Sequence, residues 1–518
     1  MALGLGVVAA VACGWQIATP WPWSDEGATY LALQRSWAEV AVLWQGPDAP
    51  VVPYYYLAKA WAALLGWFWP ALSTLVAVRL LSAAAATATV LLLYAVVARN
   101  AGRLAGIVTG LLLLTLPTFD RYAQEARPYA LLVLAATASW LMGDRRLRPG
   151  RVALGFSSAA PADVPAGRRY GPLVGHAVSL AAVGAVHTFG VFQWPAHLVA
   201  WFAASGDLRT RLRRSVGALT AIAAATVLVG AQLVTTLTHG TGADRTLPAS
   251  ATAPLAIAEH ILLLVSQTPS WTVSVLVLAL ALIGALTRPG GQRGLPIGLL
   301  IWLVVPLGLE LAVGIVDTNL FRLRYWVAAL PPLAALAGLG VMAVGEAVDR
   351  GVRRVWAPSD RLGRVLVAGV ALALLVLQVA LTLPVQRHIR SASGHNQNLS
   401  GVFAALAAAR AQYPDVQPAI VYRSATALLS AADPAILEQN PMARLRPEIP
   451  IVYTTPNSPD EVRRQIGSAR YLLWLRMGRR TTSRPPRLPP ELAALRPEVI
   501  WVRPAGTGWT TVLLKLPA

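Results

Sequence analysis

The stretch "PWPWSDEGATY", residues 20–30, places two acids, Asp25 and Glu26, directly after the first long apolar stretch of the chain. The chain around it has 518 residues, of which 56% are hydrophobic and 13% are charged, and its mean hydropathy is +0.54. Soluble domains rarely combine so much apolar residue with so little charge, so this composition predicts an integral membrane protein. The acidic pair then lies where the first membrane helix is expected to leave the bilayer.

Apolar stretches long enough to cross a membrane recur along the chain. A spanning helix needs about 20 mostly apolar residues, and the sequence predicts about eleven spans. The segment 52–69, "VPYYYLAKAWAALLGWFW", carries Lys59 among clustered aromatic residues, which favour the headgroup boundary. We therefore expect it to be an interfacial helix in the first outer loop. The predicted spans cover residues 2–19, 75–98, 104–118, 129–143, 172–190, 191–205, 215–236, 270–287, 295–315, 325–345 and 365–384.

The distribution of basic residues sets the orientation of these spans. With 52–69 left on the surface, alternate loops collect most of the arginine and are assigned to the cytoplasm. The net charge of +20 is thus explained by membrane topology, and no nucleic acid partner is expected. The protein is predicted to be a multi-pass protein of the cell membrane, with the acidic pair on the extracytoplasmic face. The opposite loops hold fewer basic residues, namely Arg35, Lys59, Arg121, Arg127, Arg245, Arg322 and Arg324.

The chain after Pro384 has no long apolar run and is rich in proline. It contains short β-like runs, with helical patterns near 398–412, 423–430 and 458–466. Strands that alternate with helices predict a small soluble α/β domain. The predicted organisation is a polytopic helical membrane domain over 1–384 and an extracytoplasmic α/β domain over 385–518. The β-like runs are "AIVYR", "IPIVYT", "RYLLWL", "VIWVR" and "TTVLLKL".

The acidic pair has two readings. In the first, Ser24 or Asp25 only caps the following helix by accepting a backbone N–H. In the second, the pair is functional, because capping needs one such residue and neighbouring helical residues point about 100° apart. The second outer loop, "FDRYAQEARPYALL", carries Glu125 and Arg127, and its charges are either solvated ion pairs or site residues.

Other polar residues on the predicted outer side are few. "HTFGVFQWPAH" places His187 at the outer surface and His197 deeper, and each is either a satisfied core residue or functional. Arg322 and Arg324 precede an apolar helix on the outer side, where they suit a phosphate group. Glu310 lies within a predicted span, and a carboxylate there is a functional candidate.

These residues suit the transfer of a sugar from a polyprenyl-phosphate donor. Outside the cytoplasmic membrane a glycosyl donor has to be carried on lipid. One carboxylate removes the proton of the acceptor hydroxyl, and arginine, with or without a divalent metal ion, stabilises the departing phosphate. The acceptor would be a glycan, a glycolipid or a protein of the cell envelope, and the sugar is left open.

The order of several motifs resembles the GT-C glycosyltransferases, in particular protein O-mannosyltransferases and lipid A aminoarabinose transferases. The resemblance covers residues 1–345 and implies a mannosyl- or arabinosyltransferase. It rests on the acidic pair, the "PYYY" of the interfacial segment, "QEARPYAL" at 124–131, "HTFG" at 187–190 and "RYWVAALPPLAAL" at 324–336.

The resemblance also implies roles for particular residues. Asp25 would be the base, with Glu26 supporting it or a cation. Arg127 and Arg324 would hold the donor phosphate, with Tyr129 and Tyr325 lining the same cavity. Relatives often carry His-Pro-Pro or Glu-Lys-Pro before the interfacial helix, whereas "DAPVVPYYY" has no histidine. A metal site would then depend on His187 with Glu26 or Asp48.

Two other classes of function remain as alternatives. A transporter or flippase for lipid-linked sugars would also need outward arginines and an intramembrane acid, but it predicts inverted repeats with broken helices. A non-catalytic membrane scaffold with a sensing domain is the other alternative.

Overall fold

The computed structural model describes residues 1–46, 48–147, 170–203, 208–239, 253–268, 271–287, 289, 294–316, 322–356, 359–395, 398–419, 469–477, 487–505 and 509–517. Helices dominate this part of the chain. Those of the first half are α1 Ala2–Gly14, α2 Ser24–Gln34, α3 Trp37–Val42, α4 Val52–Phe68, α5 Thr74–Ala101, α6 Arg103–Thr115, α7 Pro117–Ala123, α8 Tyr129–Leu147, α9 Tyr170–Val186, α10 Gln193–Ala203 and α11 Leu208–His239.

The second half continues with helices and ends in a small sheet. Short 3-10 helices cover Leu43–Gln45, Ala49–Val51, Thr188–Phe192 and Leu323–Ala329. The later helices are α12 Pro254–Ser266, α13 Trp271–Ala285, α14 Gly294–Val316, α15 Leu330–Val355, α16 Asp360–Ile389, α17 Ser400–Gln412 and α18 Pro490–Ala493, and the strands are β1 Gln417–Ala419, β2 Tyr471–Met477, β3 Glu498–Pro504 and β4 Trp509–Lys515.

The chain forms two compact units. The helical unit comprises Met1–Trp15, Ala49–Tyr54 and Arg79–Arg387. The mixed unit comprises Gln16–Asp48, Tyr55–Val78 and His388–Ala518, so it combines segments of the first predicted outer loop with the C-terminal part of the chain. The sequence instead predicts a division between residues 384 and 385, with the first outer loop in the membrane domain. That division stays a prediction.

Five of the described helical segments are long and apolar enough to cross a membrane, or up to seven if each of two bent helix pairs is one span. In one pair, α6 and α7 meet at an angle of 73°. Pro117 opens α7, where its missing N–H is tolerated and its ring ends the preceding helix. The chain is thus a multi-span helical membrane protein, and the number of eleven spans is not confirmed. Part of the predicted basic loops, including residues 148–169, lies outside the described residues.

Of the five apolar segments, Leu323–Val355, which contains α15, is the most buried. Helix α15 packs tightly on α13 because both helices carry glycine at the crossing. A Cβ atom added at Gly284 would overlap the Leu336 carbonyl oxygen, and one added at Gly340 would overlap the Leu280 carbonyl oxygen. Small residues at these positions allow the two backbones to approach closely, as is common between membrane helices.

The mixed unit contains a four-stranded sheet in the order β1-β2-β4-β3. β1 pairs with β2 in parallel, and the other two pairs are antiparallel. Successive residues of a strand point to opposite faces, and both faces of the central strands are covered. Leu473 and Leu513 join a core with residues of α17, whereas Leu472 and Leu514 join a second core with Leu492.

Several predictions for the C-terminal region are confirmed. The runs "RYLLWL", "VIWVR" and "TTVLLKL" are within or overlap β2, β3 and β4, and the helical pattern at 398–412 is α17. Only the first residue of "AIVYR", Ala419, belongs to a described strand. The run "IPIVYT" and the helical patterns at 423–430 and 458–466 lie outside the described residues. The segment 52–69 is a helix at Val52–Phe68, as predicted, and its position at the membrane interface stays a prediction.

Candidate functional site

The second predicted outer loop, "FDRYAQEARPYALL", is buried in the helical unit. Glu125 is fully buried, and Arg121 and Arg127 are only 5% and 9% exposed. Arg121 Nε lies 3.2 Å from Glu125 Oε2, and the Ser82 hydroxyl donates to the Glu125 carbonyl oxygen at 2.6 Å. An ion pair within the loop is therefore present, but its charges are not solvated. Burying a charge costs free energy, so buried charges are expected to be paired or to serve a function.

The "HTFG" motif forms the turn between α9 and α10. His187 precedes the 3-10 helix Thr188–Phe192, and its Nδ1 atom accepts a hydrogen bond from the backbone N–H of Phe189 at 3.3 Å. Gly190 is required because a Cβ atom there would overlap the Val183 carbonyl oxygen. Since Nδ1 is an acceptor, the proton of the neutral imidazole lies on Nε2, which makes Nε2 a donor.

His187 is part of an aromatic cluster that joins three of the predicted site motifs. Its ring centroid lies 6.0 Å from that of Tyr129, 5.3 Å from that of Tyr325 and 5.4 Å from that of Phe189. The rings of Phe189 and Tyr325 are 4.3 Å apart, and Tyr122 packs edge-on against Tyr129 at 4.9 Å. We call Tyr122, Tyr129, His187, Phe189 and Tyr325 the aromatic cluster. The structure thus brings Tyr129, His187 and Tyr325 together, and their role in a donor site stays a prediction.

The charges of two arginines affect the pKa of His187 in this cluster. The pKa of His187 is lowered to about 3, most strongly by burial and in addition by the positive charges of Arg127 and Arg324. The Arg324 guanidinium carbon lies 5.6 Å from the Tyr325 ring centroid. The site therefore combines two permanent cations with a neutral imidazole that carries an Nε2–H. Such a set of donors suits an anion with several oxygen atoms, such as a phosphate.

Arg322 and Glu310 lie on neighbouring elements of the same unit. The Arg322 carbonyl accepts a hydrogen bond from the Tyr325 N–H at 3.0 Å, which starts the 3-10 helix Leu323–Ala329. Glu310 is buried in α14, which packs against both this 3-10 helix and Thr188–Phe192. Its Oε2 atom makes no hydrogen bond within the described part of the chain. Glu310 stays a candidate functional residue, and no partner is assigned to it.

The acidic pair lies in the mixed unit, at the start of α2. Trp23 is the N-cap residue, and its N–H donates to Glu26 Oε2 at 3.4 Å. Glu26 is fully buried, and the same Oε2 atom lies 3.0 Å from His395 Nδ1. Asp25 is half-buried. The two acids therefore occupy different environments, which favours two roles over a shared capping role.

Lys59, predicted among the charges of the site, stabilises the other end of α2. Its Nζ atom donates to the carbonyl oxygens of Leu33 at 2.7 Å and Arg35 at 2.6 Å. It also lies 5.4 Å from the Trp37 ring centroid. Carbonyl groups at a helix C-terminus lack intrahelical partners, and a lysine satisfies them well.

His197 belongs to a hydrogen-bonded chain inside the helical unit. Ser139 donates to the Ala136 carbonyl at 2.8 Å and lies 3.1 Å from His197 Nε2, while His197 Nδ1 lies 3.3 Å from His176 Nε2. Because the Ser139 proton is already used, His197 donates from Nε2 and accepts at Nδ1. His197 is thus a satisfied core residue that links α8, α9 and α10.

The donors proposed for a metal ion do not fit one. His187 Nε2 carries a proton because Nδ1 faces a backbone N–H, Glu26 is bonded to His395, and Asp48 Oδ1 accepts from the Tyr55 hydroxyl at 3.3 Å. Among the described residues, no group of three or more His, Cys, Asp or Glu side chains is arranged to hold an ion.

Some residues of these arrangements have no recognisable sequence pattern. His395 follows the last predicted span in an ordinary polar segment, "SASGHNQN", and no local pattern connects it to Glu26. Phe189 and Tyr122 stand inside quoted motifs, next to residues that were singled out, and their proximity to the predicted residues was the available clue.

No protein-family profile matches the chain, and no curated protein matches its sequence. Solved structures do match it. ArnT from Cupriavidus metallidurans in the apo state aligns with a TM-score of 0.56 and 13% identity over 99% of this chain and 97% of that chain. ArnT bound to undecaprenyl phosphate aligns with a TM-score of 0.54 and 13% identity over the same shares of 99% and 97%.

A second similar structure comes from an archaeon. The oligosaccharyltransferase AglB from Archaeoglobus fulgidus, in complex with an inhibitory peptide and a dolichol-phosphate, aligns with a TM-score of 0.54 and 12% identity over 91% of this chain and 69% of that chain. These proteins are GT-C glycosyltransferases. The fold of this chain is therefore the GT-C fold, and the resemblance predicted from its motifs is confirmed at the level of the fold.

Proposed function

We propose that this protein transfers a sugar from a polyprenyl-phosphate-linked donor to an extracytoplasmic acceptor by a single displacement that inverts the anomeric carbon. The fold supports this class, because it is shared with ArnT and AglB. Those two proteins have been captured with undecaprenyl phosphate and with a dolichol-phosphate, respectively. The proposed donor is chemically the same kind of lipid. The sugar is proposed to be a mannosyl or arabinosyl group.

The observation that carries the proposal is the group formed by the buried Arg127 and His187 and the half-buried Arg324. Burial and the charges of the two guanidinium groups lower the pKa of the imidazole, so the site keeps its two cations together with a neutral donor. As the glycosidic bond breaks, negative charge develops on the departing phosphate. Preorganised cationic donors in a water-poor site stabilise that charge strongly. Tyr129 and Tyr325 would line this phosphate site. Arg322, two residues before Arg324, is proposed to contribute to it as well.

Asp25 is proposed as the base. Its carboxylate accepts the proton of the acceptor hydroxyl while the hydroxyl oxygen forms a bond to the anomeric carbon. The bond between that carbon and the phosphate oxygen breaks, and polyprenyl phosphate leaves with the electron pair. One base is enough for this displacement, unlike glycoside hydrolysis with two catalytic carboxylates. Glu26 supports Asp25 without touching the substrate.

The acceptor and the cofactor are assigned only by class. The acceptor is proposed to be a cell-envelope glycan, a glycolipid or a protein. A similar structure of the Archaeoglobus fulgidus enzyme is a complex with Zn and sulfate, so a divalent ion is compatible with this fold class. No step proposed for this chain passes through a metal ion, because His187, Glu26 and Asp48 do not form a ligand set.

The test uses purified protein in lipid nanodiscs. Polyprenyl-phosphate-mannose or polyprenyl-phosphate-arabinose is supplied with a pool of envelope glycans and peptides, and products are detected by mass spectrometry. Wild type should transfer the sugar of one of the two donors. The transfer rate of Asp25→Asn should be lower by about 100-fold or more, which is the contribution of a general base. Glu346→Gln, at an exposed carboxylate, is the matched control. Equal turnover by wild type and Asp25→Asn would remove Asp25 as the base.

The same preparation separates transfer from transport. In sealed vesicles, a flippase would move the donor lipid between leaflets without changing its mass. Donor movement in the absence of any sugar transfer would therefore favour the transporter alternative.

A further inference from the structure

Glu26 and His395 form a buried pair across 369 positions of sequence. Their side chains are both 0% exposed, and Glu26 Oε2 lies 3.0 Å from His395 Nδ1. A carboxylate at this position accepts, so His395 donates from Nδ1. The same carboxylate oxygen accepts the Trp23 N–H, which fixes the first turn of α2. The pair therefore ties the start of α2 to the segment that follows α16.

A second contact fastens the same segment on its other side. The Trp21 N–H donates to the Ala392 carbonyl oxygen at 3.1 Å. The Trp21 ring lies 5.7 Å from the Phe403 ring and packs against the core that α17 shares with the sheet. Asp25 thus stands next to Glu26 in a stretch of chain held at Trp21 and at Glu26. All of these residues belong to the mixed unit.

The arrangement explains how the two neighbouring acids can do different work. Successive residues of an α-helix point about 100° apart. With Glu26 directed to His395, the direction of Asp25 around the axis of α2 is set. Removing His395 would take a hydrogen-bond donor away from a buried carboxylate, which costs more free energy than the loss of an exposed hydrogen bond. The first turn of α2 is then expected to shift.

We propose that His395 is a positioning residue for the glycosyl transfer: its hydrogen bond to Glu26 holds the first turn of α2 and thereby orients the Asp25 carboxylate. The inference rests on the proposed function, because it takes Asp25 as the base. It gives the C-terminal part of the chain a role in the reaction, since the donor that orients the acidic pair comes from that part.

The first experiment measures transfer rates in nanodiscs for variants at position 395. His395→Ala should lower kcat by about 10- to 100-fold, the size expected for a base displaced by about 1 Å, with the KM for the donor lipid unchanged. His395→Asn keeps a donor near the place of Nδ1 and should recover most of the rate. Wild-type kcat for His395→Ala would overturn the positioning role while leaving the proposed function intact.

A merely structural role is separated by a double-mutant cycle. Asp25→Glu moves the carboxylate by one methylene and should retain measurable turnover. If His395 acts through Asp25, His395→Ala should lower the rate of Asp25→Glu by much less than it lowers the rate of wild type. If the substitution only reduces the folded fraction, it should lower both rates by the same factor, and that result would overturn the proposal.

A third measurement does not depend on turnover. Amide hydrogen exchange should become faster over residues 24–34 in His395→Ala and in Glu26→Gln, with α14 unchanged as an internal control. Unchanged exchange over α2 would show that the pair does not hold this helix. Absence of sugar transfer by wild type with every donor would instead overturn the proposed function, and the positioning role with it.

Discussion

The Nδ1 atom of His187 accepts a hydrogen bond from the backbone N–H of Phe189, two residues further along the chain. This contact fixes the tautomer of a buried imidazole whose pKa is lowered by burial and by the charges of two arginines. It makes Nε2 a donor and leaves no lone pair on that atom for a metal ion. The "HTFG" motif therefore supplies a neutral donor to the candidate phosphate site, and the metal role considered for His187 finds no support in its hydrogen bonding.

The pH dependence of stability should reveal this buried neutral imidazole. The pKa of His187 falls from 6.5 to about 3 on folding. Between these values the unfolded chain binds a proton and the folded chain does not, so stability falls as pH falls through this window and is unaffected above it. The loss is about 1.4 kcal/mol per pH unit, or about 2 kcal/mol at pH 5. We expect His187→Gln to lack this contribution.

The measurement compares chemical unfolding midpoints of wild type and His187→Gln at several values between pH 7.5 and pH 5. The difference between the two curves is the informative quantity, because the substitution also changes packing. Parallel curves over this range would mean that His187 is protonated in the folded protein or exposed to water.

Replacing Arg127 should weaken the use of the donor lipid. Arg127→Ala removes a charged donor from a buried site, and the hydrogen bonds of a charged group are worth about 1.5–3 kcal/mol, which corresponds to roughly 10- to 100-fold in kcat/KM for the donor. Arg127→Lys should lose less, because it keeps the charge but not the planar fork. Arg350→Ala is the control at an exposed arginine. A larger effect on the KM of the acceptor than on that of the donor would contradict the phosphate role.

The sequence was informative where local pattern determines structure. The short β-like runs that correspond to β2, β3 and β4, and the apolar helices, follow from local hydrophobic patterning, which depends on neighbours within a few residues. The motifs that carry Arg127, His187 and Tyr325 were found because each is short and lies at a predicted helix boundary. These residues lie close together in the helical unit because of tertiary packing, and this proximity agrees with the order of the motifs.

The contacts that the sequence did not predict are long-range or depend on geometry at a helix end. His395 has no local feature that distinguishes it from a surface histidine, and its partner is 369 positions away. Lys59 was predicted on the outer side, as a cation among the aromatic residues of the interfacial segment. Its actual partners are two backbone carbonyl groups at the end of α2, which carry no sequence signature.

Lys59 is therefore expected to affect stability more than substrate use. Lys59→Met keeps much of the apolar side chain and removes two hydrogen bonds to the end of α2. We expect a destabilisation of about 1–3 kcal/mol, seen as a lower unfolding midpoint and faster amide exchange at residues 31–36. A variant with unchanged stability but a raised KM for the donor would instead restore Lys59 to the substrate site.

The crossing of α13 and α15 should not tolerate a side chain. In Gly340→Ala the new Cβ atom would overlap the Leu280 carbonyl oxygen, and rigid backbone cannot give way cheaply. Overpacking of this kind costs about 1–3 kcal/mol or more, so the thermal unfolding midpoint should fall. Gly230→Ala in α11 is the matched control, since a Cβ atom there meets nothing within 4 Å. Its midpoint should stay the same or rise, because alanine favours the helix.

Sidedness gives the most general prediction, because the proposed chemistry requires an extracytoplasmic acidic pair. The bond between Glu26 and His395 requires that the first loop and the chain after α16 share one face of the membrane. The distribution of arginine predicts that this face is the outer one and that the end of α15 lies in the cytoplasm. In a Cys13→Ala background, we expect Ala38→Cys and Ser400→Cys to react with an impermeant maleimide added outside whole cells, and Gly351→Cys to react only after permeabilisation. All three positions are exposed.

If 52–69 crossed the membrane, Ala38 and Gly351 would label from the same side and Ser400 from the other. That result would contradict both the predicted topology and the pairing of Glu26 with His395.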